Sequence, residues 1–394
     1  MLGHSLMLLM LLSFSLLVQA GPREQAKQMH DRLTGIPPSA AVLDAMTTHI
    51  ENGDVQQAAY LAMQDPAFYN VTLKNWITPW TNETAETFAP LNDYTATVIG
   101  MIRDDIDFRL LLSGDILYTG DSSLGLPAYA TNNNRHYEEL EQQNIDLQEY
   151  LVAGTQSAVT GLPASATAGV MTSRAAAKAF FIDGTNRAMF RFTLMNHLCT
   201  DLEALKDTSR IPDRIRQDVS RSPGGDSRIF LNSCVGCHAG MDPLAQSFAY
   251  YNFEYQDDTD NGALQYNAAG QTNADTGTQV QGKYLINANN FIHGYITEND
   301  QWQNYWRVGK NAILGWAADL PGQGSGAKSM GEELANSVAF AQCQVKKVFN
   351  NVCLREPENT EDRHQVEQMV GNFKANNYAM KQVFADTANY CKGN

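Results

Sequence analysis

Basic residues are scarce in this sequence. There are 28 Lys and Arg against 43 Asp and Glu, giving a formal net charge of −15. A chain this acidic repels nucleic acid and anionic membranes. It suits a basic protein partner, although the commonest use of such charge is solubility. Long apolar runs are missing after residue 20, where nothing approaches the roughly 20 residues that cross a bilayer. There are no internal repeats and no low-complexity tracts. No phosphate-binding loop, Ser–His–Asp set or paired-carboxylate motif stands out, so nothing points to hydrolysis or nucleotide chemistry. Cysteine is also sparse, at six residues, and only two of the six lie close together in sequence.

The first 20 residues, MLGHSLMLLMLLSFSLLVQA, are a different kind of sequence. Their apolar run from Leu6 to Val18 is broken only by Ser13 and Ser15, and it ends in Val18-Gln19-Ala20. The polar stretch GPREQAKQMHDR follows at once. A short apolar run, a small-residue end and no basic flank predict a secretory signal over residues 1–20. The expected location is periplasmic or extracellular, with no membrane span in the mature chain. Residues 1–20 hold no Asp, Glu, Lys or Arg, so cleavage leaves the charge at −15.

The close cysteine pair stands in NSCVGCHAGMDPL, residues 232–244, as Cys234-Val-Gly-Cys237-His238. A structural zinc site needs four ligands, and there is no second close pair to complete one. A redox dithiol needs a strand–helix–strand context that is not found here. C-x-x-C-H is the pattern of covalent haem attachment. Each thiol adds across a porphyrin vinyl group, and the adjacent imidazole serves the iron as proximal ligand. One covalent haem c is therefore expected, with Cys234 and Cys237 as attachment points and His238 on the iron. The other four cysteines, in an oxidising compartment, are expected to form disulfides. Cys343 and Cys353 share one predicted helix, about 15 Å apart, and cannot bond to each other. Cys353–Cys391 with Cys199–Cys343 is preferred. Cys199–Cys353 with Cys343–Cys391 stays open.

Apolar residues recur at spacings of three and four over 24–34, 38–64 and 95–113, which predicts helices with Ser39 as an N-cap. Residues 76–93 and 115–134 read as connections, and 134–151 resumes helix. Residues 172–205 read as two helices broken at Asp183-Gly184. A Pro- and Gly-marked loop over 207–227 precedes the cysteine motif. Residues 255–282 are expected to be a long loop or small hairpin. Within them, DDTDNGALQYNA has Ala268 where a calcium loop needs a bidentate Glu, so it reads as a polar turn. The fold expected is mainly α: a helical N-terminal region over 21–155, then a haem-binding region over 156–394 with a small loop or β insertion.

Around the motif the chain resembles the planctomycete-type cytochrome c family, secreted proteins built from haem-bearing domains and flanking helical domains. The resemblance rests on Cys234-Val-Gly-Cys237-His238 and Met241-Asp242-Pro243-Leu244. It extends less specifically to residues 107–120, to the segment ending at Cys199, and to FAQCQVKKVFNNVCLREP. Tyr251-Asn252 stands where the family has Phe-Asp, and Ser173-Arg174 stands where it has His-Pro. The resemblance implies a cytochrome c-like haem domain and export, and no substrate.

A second axial ligand would be Met or His. Met171, after a run of small residues, is preferred over Met330, Met189, Met195, His197 and His293. Met241 lies three residues after His238, on the same side of any helix. Arg228 or Arg221, flanking Gly224-Gly225, is placed to pair with a haem propionate. Electron transfer with a redox partner protein is the expected role. A haem enzyme or sensor with an open distal site is the alternative, and a haem-bearing structural component of an envelope assembly is a further one.

Overall fold

The computed structural model describes residues 20–182, 184–256 and 260–393. The expected signal segment lies outside these residues except for Ala20, as do Asp183 and residues 257–259 of the polar turn. The described chain is mainly helical, with three two-stranded antiparallel sheets. No helix among the described residues is long and apolar enough to cross a membrane.

Local chemistry sets the helix limits. Pro22 opens the Pro22–Thr34 helix, and Gly35, at φ 75°, closes it by donating its N–H to the Asp31 carbonyl. Ser39 caps Ala40–Glu51 by accepting from the Val42 N–H, as its position predicts. The periodicity over 38–64 hides a break: Asn52-Gly53-Asp54 separates Ala40–Glu51 from Val55–Ala62. The helix expected over 95–113 stops at Arg103, because Asp105 turns the chain at φ 52° into a 3₁₀ turn over Phe108–Leu112. The break expected near residue 183 is present, between Arg174–Phe180 and Arg187–Leu198. The connection over 115–134 contains a strand, Leu117–Gly120, which pairs with Leu151–Gly154. The small β insertion is a hairpin, Tyr251–Tyr255 against Gly262–Tyr266.

The chain's two ends pack together. The helices Pro22–Thr34 and Val55–Ala62 meet the last one, Met380–Tyr390, and Phe384 lies edge-on to Phe68 and Trp76 at 5.1 and 5.3 Å. One continuous hydrophobic cluster runs from Ala26 to Ala388 and draws on both sides of residue 155. Glycine permits one close approach within it. A Cβ on Gly331 would lie 1.8 Å from the Leu112 carbonyl oxygen, so no larger residue fits there.

The two disulfides are Cys199–Cys343 and Cys353–Cys391, with Cα atoms 5.2 and 5.5 Å apart. This is the preferred pairing. Cys343 and Cys353 sit on one helix, Val338–Cys353, and each bonds away from it. Cys199, at φ 52°, ends the Arg187–Leu198 helix and ties that end to the Val338–Cys353 helix. Gln344 and Lys347 of the same helix donate to the last carbonyls, those of His197 and Asn196, at 3.2 and 2.8 Å.

Peptide mapping without reductant is expected to recover these two bridges, with Cys234 and Cys237 outside both. Replacing Cys199 and Cys343 by Ser opens a loop of 144 residues. By loop entropy this costs up to about 5 kcal/mol. The check is the urea midpoint, and an unchanged midpoint contradicts the stabilising role.

Candidate functional site

The motif lies at the start of a largely buried helix, with Cys234, Cys237 and His238 half-buried at its edge. A turn at Ser227–Ile229 and a wider π turn at Phe230–Cys234 lead into Val235–Ala245. Asp226 starts this stretch by accepting from the Arg228 N–H. Such wide turns often mark functional positions. Helical spacing puts Cys234, Cys237 and His238, at i, i+3 and i+4, on one face. Both thiols are unpaired and half-buried, and the His238 side chain is 19% exposed. The buried face is held elsewhere. A Cβ on Gly240 would lie 2.0 Å from Nε1 of Trp306, so the indole packs directly on helix backbone. On the other side of Trp306 lies Phe190, with ring centroids 5.8 Å apart.

The loop before the motif folds over the helix start. The Asp207 N–H donates to the Gly236 carbonyl at 3.0 Å. Ile215, Phe230 and Val235 form a small apolar cluster against which Cys234 and Val219 pack. Cys237 touches the main core, with Sγ 3.5 Å from the Leu202 carbonyl oxygen. Burial, reinforced by Glu203, pushes the Cys237 thiol up, so it stays protonated and weakly nucleophilic at neutral pH.

Behind His238 lies a charged group of distant residues. Nδ1 of His238 is 3.2 and 3.1 Å from the two carboxylate oxygens of Asp242, one helical turn later. Asp242 is 1% exposed. Arg187, on a different helix, donates to Asp242 through Nε at 2.7 Å and Nη2 at 3.2 Å. Its other edge donates to Asp218, at 2.6 and 3.0 Å. Arg216, 3% exposed, donates to the Asp242 carbonyl at 3.3 Å and to Thr185. Burial opposes the charge on Asp242, but Arg187, His238 and Arg216 outweigh it and hold the carboxyl well below its usual range. An ionised Asp242 only accepts, so the Nδ1–H of His238 donates to it. Nε2 has no hydrogen-bond partner among the described residues.

Arg228 and Arg221 have different surroundings. Arg228 is 82% exposed and ion-paired with Asp226 at 2.7 Å. Arg221 has its guanidinium carbon 4.9 Å from the Phe230 ring and 4.5 Å from Phe291, and its Nη2 donates to the Ile215 carbonyl. Its Nη1 is buried with no partner. That unpaired N–H lies beside the apolar cluster holding Cys234.

The candidate distal ligands are elsewhere. Met171, 2% exposed, lines a small core cavity with Tyr94, Met189 and His197, and none of the motif residues shares that wall. Nε2 of His197 is 2.7 Å from the Tyr94 hydroxyl, and burial, with Lys347 nearby, holds this imidazole neutral. Met330 is buried in the core, and His293 is exposed next to Phe291. Met241, 5% exposed, packs in the core. Spacing alone reveals Asp242 as the residue facing His238. Arg187, Arg216 and Asp218 carry no sequence signal for the site, because tertiary folding alone brings them there.

Among the described residues no three His, Cys, Asp or Glu side chains converge as a metal-binding set. A porphyrin brings its own four nitrogens and asks the protein for one or two ligands. Two unpaired thiols, one oriented imidazole and an orphaned guanidinium nitrogen fit such a group. No family model, curated protein or solved structure matches the chain.

A depressed carboxyl gives stability that is present above the unfolded value, about 3.9, and lost as the pH falls through the folded value. Asp242→Asn should therefore be less stable than wild type at pH 7. The urea midpoints of the two proteins should converge as the pH drops below about 4. Parallel curves across that range would show that the Asp242 charge adds nothing.

Proposed function

We propose that this chain is an exported monohaem c-type cytochrome that transfers electrons through one covalently held haem in a cytochrome c-like region. One observation carries the reading. Cys234 and Cys237 are unpaired and half-exposed beside an imidazole whose Nε2 is free, while the other four cysteines are bonded. Each thiol would add across a vinyl group, sulfur to one carbon and hydrogen to the other, with nothing lost. His238 would hold the iron through Nε2. The bound group supplies a one-electron ferric–ferrous couple.

The charges next to the motif support this reading. Arg187, Arg216 and Arg221 face only Asp218 and Asp242, an excess of one positive charge in a chain of net charge −15. A haem propionate would satisfy the buried Nη1 of Arg221, a better-placed donor than Arg228. Ile215, Phe230 and Val235 supply an apolar wall that keeps water from the sulfur side. The half-exposed face puts the group within reach of a docking partner. Leu231, 56% exposed one turn before the motif, gives that partner an apolar contact, and the acidic surface favours a basic one. The resemblance to planctomycete-type cytochromes agrees with this assignment.

A second reading, binding of peroxide or another small ligand, has one observation in its favour. The carboxylate behind His238 makes the imidazole a stronger donor, which suits oxidised iron.

Protein produced in a host with c-type maturation is expected to keep haem through denaturing electrophoresis, and Cys234→Ala with Cys237→Ala to lose it. A purified mass equal to the bare chain overturns the proposal. A low-spin spectrum unmoved by carbon monoxide or peroxide supports electron transfer. A high-spin spectrum that responds to them supports the second reading.

A further inference from the structure

The carboxylate of Asp242 does more than pack. We infer that Asp242, with Arg187 behind it, is the positioning residue that selects Nε2 of His238 as the iron ligand and lowers the reduction potential of the bound iron. The inference rests on the proposed haem attachment and deepens it.

The geometry is built around one atom. Nδ1 of His238 has both Asp242 oxygens within 3.2 Å, and Asp242 has no exposure with which to turn away. Two protein elements beyond the motif helix hold the carboxylate in place. Arg187 reaches it from the Arg187–Leu198 helix, and Arg216 pins its backbone from the loop before the motif. The ring is therefore fixed as the Nδ1–H form, with the Nε2 lone pair directed away from the protein's charges. A hydrogen bond to an anion raises the basicity of the opposite nitrogen, and a more basic ligand stabilises ferric over ferrous iron. Arg187 moderates this effect. Its charge is divided between Asp242 and Asp218, so Asp242 keeps part of its anionic character.

Asp218 makes the control possible. It shares Arg187 with Asp242 but does not touch His238. Asp218→Asn and Asp242→Asn remove the same charge from the same ion-pair group. If only local charge matters, both should shift the potential alike. If the hydrogen bond to His238 matters, Asp242→Asn, whose neutral amide oxygen accepts more weakly, should act more strongly and alone should weaken the bond to the imidazole N–H.

The experiment uses the holoprotein in three forms: wild type, Asp242→Asn and Asp218→Asn. Redox titration is expected to show the ferric–ferrous equilibrium of Asp242→Asn shifted at least tenfold toward ferrous, which is 59 mV for one electron. Asp218→Asn should shift it less. Proton NMR of the oxidised protein should show the same His238 Nδ1–H resonance in wild type and Asp218→Asn, and a shifted, faster-exchanging one in Asp242→Asn. Equal potential shifts in the two variants, or an N–H resonance in Asp242→Asn unchanged from wild type, overturn the inference. If Asp242→Asn does not fold, Asp242→Glu keeps the charge but moves it, and a potential equal to wild type with an unprotected N–H is the overturning result. Absence of covalent haem from wild type would instead refute the attachment reading itself.

Discussion

Everything near the motif depends on a carboxylate being charged where water cannot reach it. Burying an ionised Asp costs several kcal/mol unless partners replace the lost hydration. Asp242 meets that requirement with His238 on its own helix and with Arg187 and Arg216 from elsewhere. The requirement is therefore also a constraint on the fold. The motif helix, the Arg187–Leu198 helix and the loop before the motif must all arrive together for the carboxylate to be satisfied. A misplaced loop leaves a buried charge unpaired, so the site and the local fold stand or fall together.

The disulfides act on a larger scale. Cys199–Cys343 ties the far end of the Arg187–Leu198 helix to the C-terminal helices, and Arg187 at its near end grips the motif. One helix thus spans from the covalent anchor to the ion-pair group. Trp306 braces the motif helix at Gly240 and meets Phe190 of the same connecting helix. Cys234 and Cys237 are left outside both disulfides.

Residue 155, where the helical N-terminal region was expected to give way to the haem-binding region, does not divide the core. Helices from both ends of the chain share one hydrophobic cluster. Periodicity identifies which face of each helix is apolar, but it cannot say which other face that one will meet. Asp105 and Asn52-Gly53 show the same limit at small scale. Both interrupt helices that periodicity alone carries through, because the left-handed turn at Asp105 and the polar break at residue 52 override the apolar pattern.

The sequence by itself determined the chemistry on offer. C-x-x-C-H spacing puts two thiols and an imidazole on one helical face, and the i+4 position puts Asp242 beside His238, because both follow from 3.6 residues per turn. The impossibility of Cys343–Cys353 followed from the same geometry. Only the tertiary structure decided the rest. It chose Cys199–Cys343 and Cys353–Cys391 over the crossed pairs. It gave Arg228 to Asp226, left Arg221 with an unpaired nitrogen, and placed Met171 on a small core cavity that no motif residue lines. It brought Arg187 and Asp218 to the group around Asp242, some 55 and 24 residues further along the chain. Local spacing follows from bond geometry, whereas the partners of a buried charge depend on how separate elements pack, and no short stretch of sequence encodes that.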